Sequence, residues 1–241
     1  MPNTTSATSM TLAGISSMAT RLLLAELAAD FQAQAGIQVQ IESVGGVDAA
    51  KRVSNGAQNG EAFDLVFLAS DAIDKLIASG HVDANSKVDL VDSGVAVAVK
   101  MVANVPDISS EAAVKAAVLA AKTISYSTGP SGVALAKLFE RWGIADQIAS
   151  RIVQAPPGVP VGSLVARGEV ELGFQQLSEL IHLDGISIVG PLPPAIQITT
   201  TFSAGVCSTS PNKAPAKAVL AFMASPAAQA AKLRQGMELI T

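Results

Sequence analysis

Short runs of β-branched residues alternate with Ala- and Leu-rich segments of helical length along almost the whole chain. That alternation restricts the fold more than any other feature, because it is the pattern of a mostly parallel sheet with crossover helices. The first half predicts a strand at Met10 to Gly14 and a helix at Met18 to Gln34, with Arg21 in its first turn and Gly36 as its stop. A strand at Gln38 to Ser43 follows, then a helix from Asp48 to Asn55 ended by Gly56. Phe63 to Leu68 reads as a strand, and Asp71 to Ser79 as a helix with Ser70 as N-cap, before Gly80-His81-Val82 turns the chain. The second half predicts strands at Gly94 to Met101, Thr123 to Ser127 and Glu169 to Phe174, and extended chain at Ile186 to Val189 and Ile196 to Val206. Helices are expected at Glu111 to Lys122, Ser131 to Gly143, Gly158 to Gly168 and Pro215 to Gly236, the last broken at Pro226.

Nearly half of the 241 residues, 49%, are hydrophobic, which suffices for one large core or two smaller ones. Only 4% are aromatic, so Ala-rich helices must pack on Val/Ile strands. The net charge of −4, without a Lys/Arg run, argues against a nucleic-acid partner. A small anion needs only a local positive spot and is not excluded. No apolar run reaches the roughly 18 residues that span a bilayer. Residues Met1 to Met10 are polar, with neither a basic nor an apolar leader region. The expectation is a mature periplasmic form without its leader, a cytoplasmic protein being the alternative. The single cysteine, Cys207, forbids an intramolecular disulfide and reads as a buried core residue.

Familiar catalytic templates are missing. There is no nucleophile elbow, no phosphate loop and no dinucleotide fingerprint, so no cofactor is expected. The two histidines, His81 and His182, lie far apart without cysteines or paired carboxylates at ligand spacing, so no metal is expected. His81 reads as solvated, and His182 as a weak candidate base. Hydroxyls and glycines instead collect just after the predicted strands: Ser16 and Ser17, Gly45 and Gly46, Ser70, and the run Ser127-Thr128-Gly129-Pro130-Ser131-Gly132. In open α/β sheets ligands bind at the carboxyl ends of the strands, where helix N-termini offer free N–H groups and partial positive charge. At roughly 1.5–3 kcal/mol per charge-assisted hydrogen bond, about five or six such bonds would give micromolar anion affinity. The plain alternative is that these residues are ordinary N-caps and turn formers.

Several stretches resemble molybdate-type substrate-binding proteins: Gly14-Ile15-Ser16-Ser17-Met18, Phe63 to Asp71, Ile124 to Gly132, and Ala166 to Phe174. The resemblance implies an α/β, two-lobed type II periplasmic-binding-protein fold with two crossovers between lobes, near Val95 to Val99 and near Phe202 to Val206. Lobe one would comprise residues 1–93 plus 204–241, and lobe two residues 94–203. It also implies a small anionic ligand, a carboxylate or oxyanion, held between the lobes. Two departures from a molybdate binder stand out. Gly45-Gly46 replaces a loop richer in hydroxyls, and Gln175-Gln176 stands where a tyrosine is usual. Side-chain amides donate to carboxylates, and Arg21 or Arg52 could pair them bidentately. These departures point to the catalytic branch of the family, aconitate isomerase, which moves the double bond of trans-aconitate to give cis-aconitate by proton transfer without a cofactor. The residues name no base. The competing expectation is a non-catalytic binding protein that delivers molybdate or an organic anion to a membrane transporter.

Overall fold

The computed structural model describes residues 10–156 and 158–240; the polar start at residues 1–9, Pro157 and Thr241 lie outside the described residues. Strand β1 (Thr11–Ser17) leads through a turn of 3-10 helix (Met18–Thr20) into α1 (Arg21–Ala35), which Gly36 stops in the left-handed conformation at φ 69°. Next come β2 (Gln38–Val44), α2 (Gly46–Asn59), β3 (Leu65–Ala69) and α3 (Ser70–Ala78). The long strand β4 (Val88–Lys100) precedes α4 (Glu111–Ala120), β5 (Ile124–Tyr126), α5 (Pro130–Arg141) and the short α6 (Ala145–Ile148). Then follow α7 (Val161–Arg167), β6 (Leu172–Gln176), α8 (Leu177–Leu180), β7 (Ile186–Pro191) and β8 (Thr199–Val206). The tail forms α9 (Lys213–Ala224), α10 (Gln229–Arg234) and β9 (Glu238–Leu239). Among the described residues no helix is long and apolar enough to cross a membrane.

Strand pairing divides the fold in two lobes. β1 pairs parallel with β2 and β3, β3 pairs antiparallel with β8, and β8 pairs with the first half of β4. The second half of β4, Val95 to Lys100, pairs with β6 and β7, and β6 pairs parallel with β5. β4 therefore changes sheet between Gly94 and Val95. The return crossing falls at Gln197 to Thr199, because Thr199 already pairs with Gly94 while Val95 N donates to Ile198 O at 3.1 Å. The stretch Phe202 to Val206, expected at the crossing, instead pairs with β3 inside the first sheet.

Each sheet carries apolar clusters on both faces. In β3, Leu65 and Phe67 face a cluster with Leu27, Phe31 and Met223, whereas Val66 and Leu68 face Ala49, Ile73 and Leu76. In β4, Val95, Val97 and Val99 pack with Leu135 and Phe139, and the intervening Ala96 and Ala98 pack with Val161, Leu164 and Val165. The small residues let α7 approach closely: a Cβ on Gly173 would lie 2.6 Å from Val165. Removing a side chain such as Phe67, 1% exposed, should cost about 3–5 kcal/mol.

Three local expectations need correction. Gly56 does not end α2. It lies within the helix, where an added Cβ would stand 2.6 Å from Glu61 O, and Gly60 at φ 71° makes the stop. Ser70 is the first residue of α3 and not its N-cap, which is Ala69. His81, expected to be solvated, is half-buried, with its backbone tied to Leu76 and Ser208. Cys207 is buried, as its apolar neighbourhood suggests.

Candidate functional site

The carboxyl ends of β1, β2 and β3 bring one group of the expected residues together. Ser16 and Ser17 are the last residues of β1 itself, rather than of a loop after it. Ser16 faces Ser43 across the β1–β2 register, with the hydroxyls 2.7 Å apart. Ser17 is buried, yet its Oγ has no hydrogen-bond partner. Gly46, the first residue of α2, lies against it, since a Cβ there would stand 3.6 Å from the Ser17 Cβ. Gly45 precedes α2 without a side-chain cap, and Ser70 opens α3. A buried hydroxyl without a partner is costly, by about 1–3 kcal/mol, which makes Ser17 a donor awaiting an acceptor.

The second group sits at the carboxyl end of β5. Ser127 and Ser131 place their hydroxyls 3.1 Å apart, and Thr128 is exposed between them. Gly132 is obligatory here, because a Cβ would fall 1.6 Å from Ser127 O. No hydrogen bond joins this group to Ser16, Ser17 or Gly46 among the described residues. The plain N-cap reading fails for these hydroxyls. The Ser110 hydroxyl caps α4 by accepting from Ala113 N at 3.2 Å, whereas α1, α2, α3 and α5 begin without any side-chain cap. The first N–H groups of α2 and α3 are left without a side-chain partner, whereas Arg21 N at the start of α1 donates to Met18 O and α5 begins at Pro130, which has no N–H. The start of α9 is uncapped as well, so an open terminus alone does not make a site.

Between the lobes lies a cavity of about 80 Å³ lined by Met18, Ala19, Arg21, Pro160, Glu179 and His182, with Leu22, Ser178 and Leu183 completing it. Ser178 Oγ bridges the lobes directly by donating to Ala19 O at 3.0 Å. Arg21 is exposed at the start of α1, and its charge bears on Glu179. Burial pushes the Glu179 carboxyl up to about 7, against the Gln175 amide and the Arg21 charge, both of which hold it down. Gln175 is buried. It accepts from Gly162 N at 3.2 Å and donates to Glu179 Oε1 at 2.9 Å. Gln176 is also buried, and its amide reaches the first crossing. With its oxygen facing the Thr200 hydroxyl at 2.9 Å, its nitrogen donates to Ser93 O at 2.8 Å and to Ser93 Oγ at 2.9 Å.

Arg52 is engaged elsewhere. Its guanidinium forms ion pairs with Glu42 at 2.7 Å and Glu61 at 2.8 Å and lies over the Phe63 ring, so it is not available to a ligand carboxylate. Those two carboxylates raise its pKa further still. His182 is exposed and paired with Gln235 at 2.9 Å. Glu179 escaped the reading of the sequence, although it stands four residues after Gln175 at a strand-to-helix turn, the same position that drew attention to the glutamines. Among the described residues no group of three or more His, Cys, Asp or Glu side chains is placed to hold a metal.

The sequence profile of the bacterial extracellular solute-binding proteins matches residues 12–238. The chain belongs to that family. A relative of this chain is an aconitate isomerase from Pseudomonas sp., 38% identical over 202 residues, covering 83% of this chain and 77% of the relative. Among solved structures the fold is similar to the periplasmic molybdate-binding protein of Azotobacter vinelandii, with a TM-score of 0.77 and 24% identity, covering 95% of this chain and 100% of that one. The sulfate-binding protein SubI of Mycobacterium tuberculosis also has a TM-score of 0.77, at 16% identity, covering 96% of this chain and 87% of that one. These two likenesses concern the fold.

Proposed function

We propose that this solute-binding protein is an isomerase that moves the double bond of a small tricarboxylate, converting trans-aconitate to cis-aconitate in the cleft between its lobes. The observation that carries the reading is its likeness to the Pseudomonas aconitate isomerase, which extends over most of both chains. The cleft chemistry agrees with it. The reaction is a 1,3-proton shift, in which a proton leaves the acidic CH₂ and another is added two carbons away, so atoms and electrons balance without a cofactor. The charge that develops spreads onto the neighbouring carboxylate, and fixed donors aimed at that charge lower the barrier. The Ser17 hydroxyl and the open N–H groups at the starts of α2 and α3 can supply such donors. Arg21 can pair a substrate carboxylate bidentately. In this reading Ser16, Ser17, Gly45, Gly46 and Ser70 serve from lobe one, residues 1–93 plus 204–241. Ser127, Thr128 and Ser131 serve from lobe two, residues 94–203, and the protein works in the periplasm.

A second reading, a binding protein that hands a small anion to a membrane transporter, is favoured by the family's name and by the molybdate-binding neighbour. One experiment separates the two. Purified protein is incubated with trans-aconitate, and product is followed by proton NMR in D₂O. Turnover is expected, and tight aconitate binding without turnover would establish the second reading. Calorimetry with molybdate should give only weak binding, because Gly45 and Gly46 supply no hydroxyl to a tetrahedral oxyanion. At a hundredfold excess over Kd, a true ligand should add about 2.7 kcal/mol of stability.

A further inference from the structure

We infer that Glu179 is the catalytic base, taking the proton from the substrate CH₂ with one carboxylate oxygen while Gln175 holds the other. This rests on the isomerase reading and gives its chemistry an agent. Glu179 lines the cavity between the lobes together with Arg21, a residue suited to a carboxylate. Gln175 Nε2 donates to Oε1 at 2.9 Å, and no hydrogen bond engages Oε2 among the described residues. The glutamine is itself fixed, since its Oε1 accepts from Gly162 N at 3.2 Å and its side chain is only 3% exposed. A base needs this combination: an oriented carboxylate, one unpartnered oxygen, and a partly desolvated setting that brings its pKa near the working pH. The other titratable and charged groups at the cavity are Arg21 from α1 and His182 from the turn after α8. His182 is exposed and tied to Gln235 at 2.9 Å, which leaves Glu179 the better-placed acceptor.

The step balances as follows. The Glu179 carboxylate takes the CH₂ proton, and the C–H electron pair becomes the new C=C bond. The former double-bond pair moves to the far carbon and its carboxylate. The Glu179 carboxylic acid then returns a proton to that carbon, forming the new C–H bond and regenerating the carboxylate. Nothing is oxidised or reduced.

The test is kinetic. Wild-type kcat, measured with saturating trans-aconitate, should fall about tenfold per pH unit below an apparent pKa at or above about 7, because a polyanionic substrate beside Glu179 raises it further. The His182→Gln variant should keep that acid limb. Glu179→Gln should lower kcat by roughly a hundredfold to ten-thousandfold while aconitate still binds by calorimetry, and Glu179→Asp should retain part of the rate. A wild-type kcat that is flat between pH 5 and 8, or a Glu179→Gln enzyme within tenfold of wild type, would overturn the assignment and leave the isomerase reading intact. If Glu179→Gln fails to fold, the wild-type and His182→Gln pH profiles decide. A wild-type protein without turnover removes the isomerase reading itself, which is a distinct outcome.

Discussion

The Ser17 hydroxyl is one of two buried side-chain oxygens without a partner among the described residues, the other being that of Ser125. A buried O–H that donates to nothing in the protein destabilises the ligand-free state and strengthens any anion that reaches it. Ser17→Ala should therefore leave the melting temperature of the ligand-free protein unchanged or slightly raised. The same change should weaken aconitate binding by roughly tenfold to a hundredfold, the loss of one hydrogen bond to a charged group. Thermal denaturation and calorimetry on the same preparation check both halves, and a lowered melting temperature with intact binding would count against a ligand role. At this scale the sequence was only partly readable. That Ser17 stands near the carboxyl end of a strand was visible, but its lack of a partner depends on Gly46 and on the surrounding side chains. Arg52 was misjudged for a similar reason. Glu42 on β2 and Glu61 beyond α2 meet its guanidinium only after the chain folds.

Among elements, the two crossings between sheets matter most for a cleft. Gln197 lies on the second crossing, and its Oε1 accepts from Ile198 N at 2.8 Å and from Val95 N at 3.2 Å on the first, so one side chain ties the pair. Gln176 adds a second tie to Ser93 and Thr200. Hinged closure relies on a few residues at such element ends. Gln197→Ala should cost about 1–3 kcal/mol by leaving Ile198 N without its partner. That is a fall of roughly 2–4 °C in Tm per kcal/mol for a chain of this size. Small-angle scattering should also show a wider spread of ligand-free shapes, and an unchanged melting curve would show that the tie carries no weight. Element boundaries followed the local chemistry where glycine adopts a positive φ, as at Gly36. They were misread where glycine serves packing, as at Gly56, where the turn at Gly60 folds Glu61 O back against the helix and leaves no room for a Cβ. The first half of β4 was missed because its polar Asp89 and Asp92 look like loop. The hydroxyls of Ser203 and Thr201 on β8 satisfy both, each at 2.5 Å.

For the whole molecule, the raised pKa of Glu179 makes stability depend on pH. A carboxyl whose folded pKa exceeds its unfolded value, here about 7 against 4.5, contributes stability fully present below about pH 4.5 and lost as pH rises through about 7. The ligand-free wild type should thus lose on the order of 1–3 kcal/mol relative to Glu179→Gln between pH 5 and pH 8, followed by urea denaturation. Carboxylates held low by cationic partners, such as Glu26 beside Arg234, act in a separate window, where stability falls as pH drops below about 4.5. A constant difference between the two proteins would mean that Glu179 is not buried in its charged form. The alternation of strands and helices, read from the sequence alone, determined the α/β class and the placement of hydroxyl-rich turns at strand ends, whereas the double crossing was expected only from the resemblance to molybdate-type binding proteins. The class and the turns follow from local periodicity and turn chemistry, which each segment carries by itself. Only the tertiary structure decided which polar groups stand unpaired. It engaged Arg52 in ion pairs, half-buried Glu179 beside Gln175 and Arg21, and left the Ser17 hydroxyl without a partner, because burial and pairing depend on how separate elements pack once the chain has folded.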